Sequence, residues 1–412
     1  MAKALPGGTA VSEPLSPDGK RLFVLGYVGS AVKSETVAYN AVTGAQLWAK
    51  TYPPENAGGP GREIAVSPHG EQVYVTAKST GQGAVTIAYA AGTGRQLWVS
   101  RSKTGRLITG LAVSPDGSTV YATGSGRVSG NGPYIAVIAY DAATGRQRWL
   151  RYCTKVKPAY AENGAIAVSP DGSTVYVDGD AGALLPSSFS LILLAYQATG
   201  TLKWATRYSN RYTGGAYAGG AFGGRIVLGP AGKDLYVAGA VSSKYGHHVA
   251  ATFAFRAATG RRLWVDPDTA RGGDGDDAIT PDGHTVIAVA DRTSDRPGGY
   301  RIMSYNASTG ATQWARRAPA AVPGQPPNST AGLAIDPRGD TLYVASPEYE
   351  GGYDIAAWSV ARSTVLWTTS YATANVYYSP VALALSDDGA RLFVTGSVSP
   401  NGSGMTTVAY QT

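Results

Sequence analysis

Cysteine is nearly absent from this chain. Of 412 residues only Cys153 carries a thiol, so no intramolecular disulfide can form and no thiolate-based metal cluster can be built. A buried, inert thiol is the default for such a residue. Histidine is almost as scarce, with His69, His247, His248 and His284 only. That disfavours a nucleophilic triad, and no Gly-x-Ser-x-Gly elbow leads from a strand into a helix. Charge is thin as well: charged residues make up 15% of the chain, the net charge is +7, and basic residues such as Arg101, Lys103 and Arg106, or Arg316 and Arg317, are scattered. This is a solvated basic surface and gives no nucleic-acid footprint. No stretch approaches the roughly 18 uninterrupted apolar residues of a membrane span, and residues 1–7 lack the apolar core of a signal peptide. A cytoplasmic protein and a mature secreted one would look alike here; a mature secreted or cell-envelope protein is the favoured expectation.

What is abundant points one way. The chain holds 54 Gly, 24 Pro, 26 Tyr and 8 Trp, a composition suited to many short strands joined by tight turns. One stretch, Ala139 to Trp149 (Ala-Tyr-Asp-Ala-Ala-Thr-Gly-Arg-Gln-Arg-Trp), recurs in variants ending at Trp48, Trp98, Trp204, Trp264, Trp314 and Trp367. The apolar run before it reads as a strand, Thr-Gly as a reversal needing positive φ, and the residues up to Trp as a second short strand. A large ring at one point of every copy is expected to pack against the next copy. A companion turn of the Ser-Pro-Asp-Gly kind occurs eight times, starting at Ser16, Ser67, Ser114, Ser169, Gly229, Thr280, Asp336 and Ser386. Four strands per repeat of about 50 residues is the period of propeller blades. Two positions before the turn stands a small residue, as at Ala65, Ala112, Ala167, Ala278, Ala334 and Ala384, between bulky neighbours. A small face on one blade can accept the large face of the next. The eighth repeat reaches Val408-Ala409-Tyr410 without a fourth strand, so the N-terminal segment, Ala2 to Leu5, is expected to close the last blade; the alternative is truncation upstream.

These motifs resemble known propeller repeats. Ala139 to Trp149 fits the tryptophan-docking pattern Ala-x-Asp-x-x-Thr-Gly-x-x-x-Trp of quinoprotein-type, or PQQ-like, repeats; Asn40, Ala90 and Arg256 replace the Asp in other copies, and the copy ending at Trp367 has lost Thr-Gly. Segments such as Ser16 to Val24 are similar to YVTN-type repeats. The resemblance implies an all-β fold, an eight-bladed β-propeller of four antiparallel strands per blade, with residues 1–412 as one domain. Quinoprotein dehydrogenases of this kind often carry a vicinal disulfide beside the quinone and hold calcium through carboxylate and amide ligands. With Cys153 alone the disulfide is impossible, so PQQ and calcium are disfavoured as cofactors, and a shared fold does not carry the chemistry with it.

Topology says where function would lie. In an antiparallel four-stranded blade the Ser-Pro-Asp-Gly and Thr-Gly turns share one end, and the two variable connections share the other. Variable loops on a rigid scaffold are the expected binding face, for a protein or small-molecule ligand. Candidates in these connections are Glu162 and Asn163 within 152–163, His247 and His248 within 244–248, and Glu348 and Asp354. Four positions before the turn, at the expected channel mouth, stand Glu63, Arg225 and Asp276, with Asp277 beside the last. Asp274-Gly275-Asp276-Asp277 lacks the spaced carboxylates of a calcium loop and reads as a solvated acidic turn; the histidine pair suggests no metal site, because the other ligands cannot be located. Tyr208, Tyr212, Tyr217, Tyr371, Tyr377 and Tyr378 offer a sugar or peptide platform, or pack on themselves. His69 and His284 fall on the plain end and are expected to be exposed. The reading is a binding or scaffold module; the alternative is an enzyme, lactonase-like or lyase-like, whose acids converge at the channel mouth.

Overall fold

Each repeat is set by a turn whose hydrogen bonds are local. In Ser114-Pro115-Asp116-Gly117 the Ser114 hydroxyl donates to Asp116 Oδ1 at 2.5 Å and accepts from the Thr119 amide at 2.9 Å, while Asp116 Oδ1 accepts from the Ser118 amide at 3.0 Å. These bonds hold the Asp116 carboxyl below its usual range. Gly117 closes the turn at φ 71°, a left-handed conformation that a Cβ makes costly. Where repeat seven has Asp336 in the serine position, its Oδ1 accepts directly from the amides of Asp340 at 2.6 Å and Thr341 at 2.9 Å. The turns also touch around the ring: a Cβ on Gly172 would meet Pro115 Cδ at 3.6 Å, and one on Gly389 would meet Pro337 Cδ at 3.1 Å.

The computed structural model describes residues 2–6, 8–28, 33–52, 63–79, 83–102, 105–128, 131–153, 164–181, 190–208, 216–218, 225–242, 248–267, 275–291, 300–317, 332–348, 352–372, 377–399 and 404–412. Every regular element among them is a strand, and the strands form eight antiparallel sheets. Blades 1 to 7 occupy 8–51, 64–102, 105–152, 166–208, 216–267, 275–317 and 332–372; blade 8 combines 377–411 with 2–6. Among the described residues, blade 5 alone has its innermost strand in two pieces, Ala216–Ala218 and Ile226–Leu228, both paired to Asp234–Ser242. Arg207 and Tyr208 end the outer strand of blade 4, and Ala216–Ala218 begins blade 5.

Burial follows position within the blade. Ser190–Gln197, third in blade 4, is buried at every residue but the last, whereas its innermost strand Ile166–Val168 is only half-buried. Central strands are covered on both faces by neighbouring blades, which explains their unbroken apolar runs; the innermost strand has one free edge. His69 and His284 are exposed on the plain end, as expected, and Cys153 is buried and makes no disulfide.

The tryptophans bind blade to blade. The indole N–H of Trp98 donates to the Ala142 carbonyl of blade 3 at 2.8 Å, and its ring lies between Tyr74 of its own blade and Tyr140 of the next, at 5.8 and 6.3 Å between centroids. Trp48, Trp149, Trp204, Trp264 and Trp314 donate to Ala91, Ala198, Ala257, Ala307 and Val360 in the same way at 2.8 to 3.0 Å. The Thr-Gly glycine therefore answers two demands at once: Gly145 has φ 70°, and a Cβ there would sit 2.5 Å from the Trp98 ring. In blade 7, which lacks Thr-Gly, Ser363 takes the positive φ of 54°, the one described non-glycine residue to do so.

The ring closes as the sequence implies. Ala2–Pro6 pairs antiparallel with Gly404–Gln411, Ala2 opposite Val408 and Pro6 opposite Gly404. By the register of blade 3, where Ile138 faces Leu150 and Ala139 faces Trp149, the tryptophan position of this strand would fall before Ala2. The Ala41 carbonyl of blade 1, which stands where Ala142 stands, accepts instead from Arg391 Nη1 of blade 8 at 3.0 Å. Deeper in the same seam Glu13, 7% exposed, accepts a hydrogen bond from the Thr395 hydroxyl, which also lies 2.7 Å from Thr407 Oγ1.

Candidate functional site

Residues four before each turn sit at the loop end of the innermost strands, and two of the three candidates there come together. Arg225 of blade 5 and Asp276 of blade 6 form an ion pair, Nη1 to Oδ2 at 3.6 Å, with the arginine side chain 59% exposed and the aspartate side chain 24% exposed. The Asp276 carboxylate also accepts from the Asp277 backbone amide at 3.0 Å, and the Leu333 amide of blade 7 acts on it in the lowering direction. Three adjacent blades thus meet at one carboxylate. Glu63 is in blade 2; its amide donates to the Thr76 hydroxyl at 3.0 Å, within its own blade.

Asp277 corrects the reading of a solvated acidic turn. Gly275–Ile279 is a strand, and alternation along it turns Asp276 and Asp277 to opposite faces. Asp277 is 2% exposed and accepts from the Thr252 hydroxyl of blade 5 at 3.1 Å, while its Oδ2 meets no partner. It lines a small cavity between blades 5 and 6 with Thr252, Asp266 and Tyr305. Burial, and then the neighbouring Asp276 charge, push the Asp277 carboxyl well above its usual range; burial raises Asp276 too, against the lowering effect of Arg225. Of the two, Asp277 is the one whose environment favours the protonated form, beside an arginine-bound Asp276.

Two further buried acids escape the reading above. Glu13 stands three positions before its turn, as Asp277 does, where the other repeats have Ile64, Leu111, Ile166, Ile226, Leu333 and Leu383. Both reach back to a threonine of the preceding blade, Thr395 and Thr252. Asp178, fully buried, accepts from the Ala165 amide of its own blade. Desolvation lifts Glu13 to about 8 and Asp178 to about 7, and each leaves one carboxyl oxygen unpaired. An acid at an otherwise apolar register position is a signal present in the sequence.

The remaining candidates are spread out. Asp354, in the strand Gly352–Ser359, accepts from Ser370 Oγ at 2.8 Å, and burial raises its carboxyl. Glu348 ends Thr341–Glu348, so these two lie on one hairpin. His248 opens the strand His248–Arg256, while His247, Glu162 and Asn163 lie outside the described residues, as do Tyr212 and Asp274. Tyr208 packs edge-on to Phe253 at 5.2 Å with Arg262 over its ring at 4.9 Å, and Tyr371 stacks on Tyr353 at 5.3 Å. These two tyrosines pack into the protein; Tyr217, Tyr377 and Tyr378 lie in strands.

The donor set does not suit a quinone with calcium among the described residues. Cys153 has no second cysteine, and Glu13, Asp178 and Asp277 engage groups in different parts of the ring. No three His, Cys, Asp or Glu residues among those described gather closely enough to hold a metal ion.

Comparison with known proteins agrees with this architecture. Among solved structures, quinohemoprotein alcohol dehydrogenase from Comamonas testosteroni matches at 15% identity and a TM-score of 0.59, over 99% of this chain and 76% of that one. Sqt1 from Chaetomium thermophilum, bound to the N-terminus of ribosomal protein L10, matches at 12% identity and a TM-score of 0.64, over 98% and 97%. The Dos1 propeller matches at 11% identity and a TM-score of 0.65, over 98% and 93%. At such identities the likeness concerns the fold alone. No curated protein matches. A family model described as outer membrane protein assembly factor BamB matches residues 4–220 and again 188–398. With tryptophan docking at six blade junctions and that model spanning most of its length, the chain belongs to this family of PQQ-like β-propellers.

Proposed function

We propose that the protein is a binding module whose partner is a protein segment seated on the variable-loop end of the ring. The observation that carries the reading is the division between the two ends of the blades. One end is a row of short turns of the Ser-Pro-Asp-Gly kind, held by local hydrogen bonds, in which the glycine of each turn from blade 2 to blade 8 lies against the proline of the turn before it. From the other end leave all the connections that differ in length and composition, around the exposed Arg225 guanidinium that Asp276 orients. A rigid frame with individual loops at one end suits recognition. The family's description as an assembly factor, and the Sqt1 structure's peptide from a ribosomal protein, favour a protein partner over a small molecule. The enzyme reading would need acids that converge and meet solvent, whereas Glu13, Asp178 and Asp277 are buried against neighbours.

Site-specific photo-crosslinking in the native host tests this. A photoreactive residue at Glu63 or Arg225 should give a discrete protein adduct, while one at His69 or Asp116 on the plain end should not. Equal adducts from both ends, or purification with a stoichiometric small molecule and no adduct from the loop end, would refute it.

A further inference from the structure

Cations scattered along the sequence are gathered by the repeat onto one part of the rim. The outermost strands of blades 2, 3 and 4, Gln96–Ser102, Gln147–Tyr152 and Leu202–Tyr208, present Arg101, Arg148, Arg151, Lys203 and Arg207, all exposed, and contain no acidic residue. By contrast, the outermost strand of blade 7, Thr364–Ala372, carries no charge. Arg148 is answered by Asp141 at 2.9 Å. Arg151 is held by uncharged groups: its Nε donates to the Gly200 carbonyl of blade 4 at 2.8 Å, its Nη1 donates to the Leu150 carbonyl at 2.9 Å, and its guanidinium lies 5.8 Å from the Trp149 ring centroid. These contacts fix the guanidinium and leave its Nη2 without a hydrogen bond among the described residues. Beside it, where blade 3 meets blade 4, a groove of about 300 Å³ is lined by 151–153, Tyr196 and 200–202. Its inner wall is apolar and aromatic: Cys153 and Tyr196 are buried, Tyr152 and Leu202 are half-buried, and Thr201 is exposed.

We propose that this groove binds an acidic segment of a partner polypeptide, with one apolar side chain seated between Tyr152, Tyr196 and Leu202 and a neighbouring carboxylate on Arg151 Nη2. Each half of the site selects for one half of that ligand. Arg151 is oriented before binding, so a carboxylate that meets it forms a charge-assisted hydrogen bond without first ordering the side chain. The aromatic and aliphatic wall favours an apolar group that leaves water, and a volume at the small end of ligand pockets suits a single anchoring residue. Arg101, Lys203 and Arg207 on the flanking strands add a field that draws in further acidic residues and repels basic ones. A flat anionic membrane could reach these cations but not the recessed wall. A nucleic-acid strand would need exposed aromatic faces to stack on, whereas Tyr152 lies edge-on to Tyr134 at 6.2 Å and Arg151 covers Trp149. The groove lies on the outer rim, so it stands independently of the loop-end reading.

Fluorescence anisotropy of the full chain with a labelled peptide, acetyl-Glu-Glu-Phe-Glu-Glu-amide, tests this at low salt. Binding should saturate with a Kd of roughly 1 mM or below and weaken as salt is raised. Arg151→Gln keeps the stem and a donor for the Gly200 carbonyl but not the charge, and should bind roughly tenfold more weakly. Thr201→Glu, which puts a like charge in the lining, should do the same, both variants keeping the urea midpoint of the parent protein. With a benzophenone in place of the phenyl ring, crosslinks should map to 147–153 or 200–202. The peptide with Ser in place of Phe should also bind roughly tenfold more weakly. Equal binding of the Ser peptide, parental affinity in either variant, or crosslinks that map elsewhere would overturn the proposal. Tighter binding of phosphatidylglycerol vesicles or of oligothymidylate than of the peptide would overturn it too, by identifying a membrane or a nucleic acid as the occupant.

Discussion

Glu13 lies where the ring closes, and its proton should be visible in the stability of the whole molecule. Burial lifts its carboxyl from 4.5 to about 8, although Thr395 hydrogen bonds work in the opposite direction. Between these values the folded chain keeps a proton that the unfolded chain has released, so stability falls as pH rises. The contribution is fully present below about pH 4.5 and lost once pH passes about 8. At about 1.4 kcal/mol per pH unit, the window carries up to ~5 kcal/mol. Glu13→Gln keeps the shape, and an oxygen to accept from Thr395, but cannot titrate. Urea unfolding followed by tryptophan fluorescence from pH 5 to 9 should therefore give a shallower pH dependence for the variant, by about 1.4 kcal/mol per pH unit below pH 7.5. The variant should be the more stable protein at pH 9. Parallel stability curves for the two proteins between pH 5 and 8 would refute the argument, because they would mean that Glu13 titrates alike folded and unfolded.

Other perturbations address the junctions and the site. Trp149→Ala removes a ring that is 8% exposed and should cost about 3–5 kcal/mol; an unchanged urea midpoint would count against its role between blades. Gly145→Ala should cost about 3 kcal/mol by calorimetry, since a Cβ meets both a left-handed φ and the Trp98 ring, whereas Gly19→Ala, with nothing within 4 Å, should cost only ~1 kcal/mol for its φ. Ser363→Gly should stabilise the protein by about 1 kcal/mol by relieving its φ of 54°, and a lower unfolding temperature would contradict this. Arg225→Ala should move the Asp276 carboxyl midpoint further up in a carbon-13 titration while changing stability by less than about 1 kcal/mol, as expected for a partly exposed pair. A midpoint that stays or falls would show that the pair does not lower it.

Blade number, strand order and closure were legible because turns and rings repeat at fixed offsets. Ser114 and Trp149 each have counterparts all along the chain, and the missing fourth strand of the eighth repeat could be matched to Ala2–Pro6. The site was less legible, for a physical reason. A repeat fixes each residue's height and face within its blade but not which side chain reaches it from the next blade. Arg225 and Asp276 share a register position and happen to be neighbours, while Glu63 shares it three blades away. Asp277 reads as solvated when its acidic neighbours are considered, but strand alternation turns it inward. Glu13 stood out only against the six apolar residues of its register, a comparison across repeats in place of one along the chain.

The pairing of Ala2 with Val408 also has a consequence for synthesis. These partners are about 400 residues apart in sequence, so blades 1 to 7 can pair internally as they emerge from the ribosome while blade 8 waits for Gly404–Gln411 to be translated. Until then the molecule is an open arc with an unpaired segment at one end and a bare blade face at the other. Chain-entropy arguments make this long closure only modestly costlier than a shorter one, but contacts so remote in sequence form late. A chaperone, or a neighbouring nascent chain, would meet the arc before the ring exists. The first strand of the ring to be made is the last of the ring to find its place.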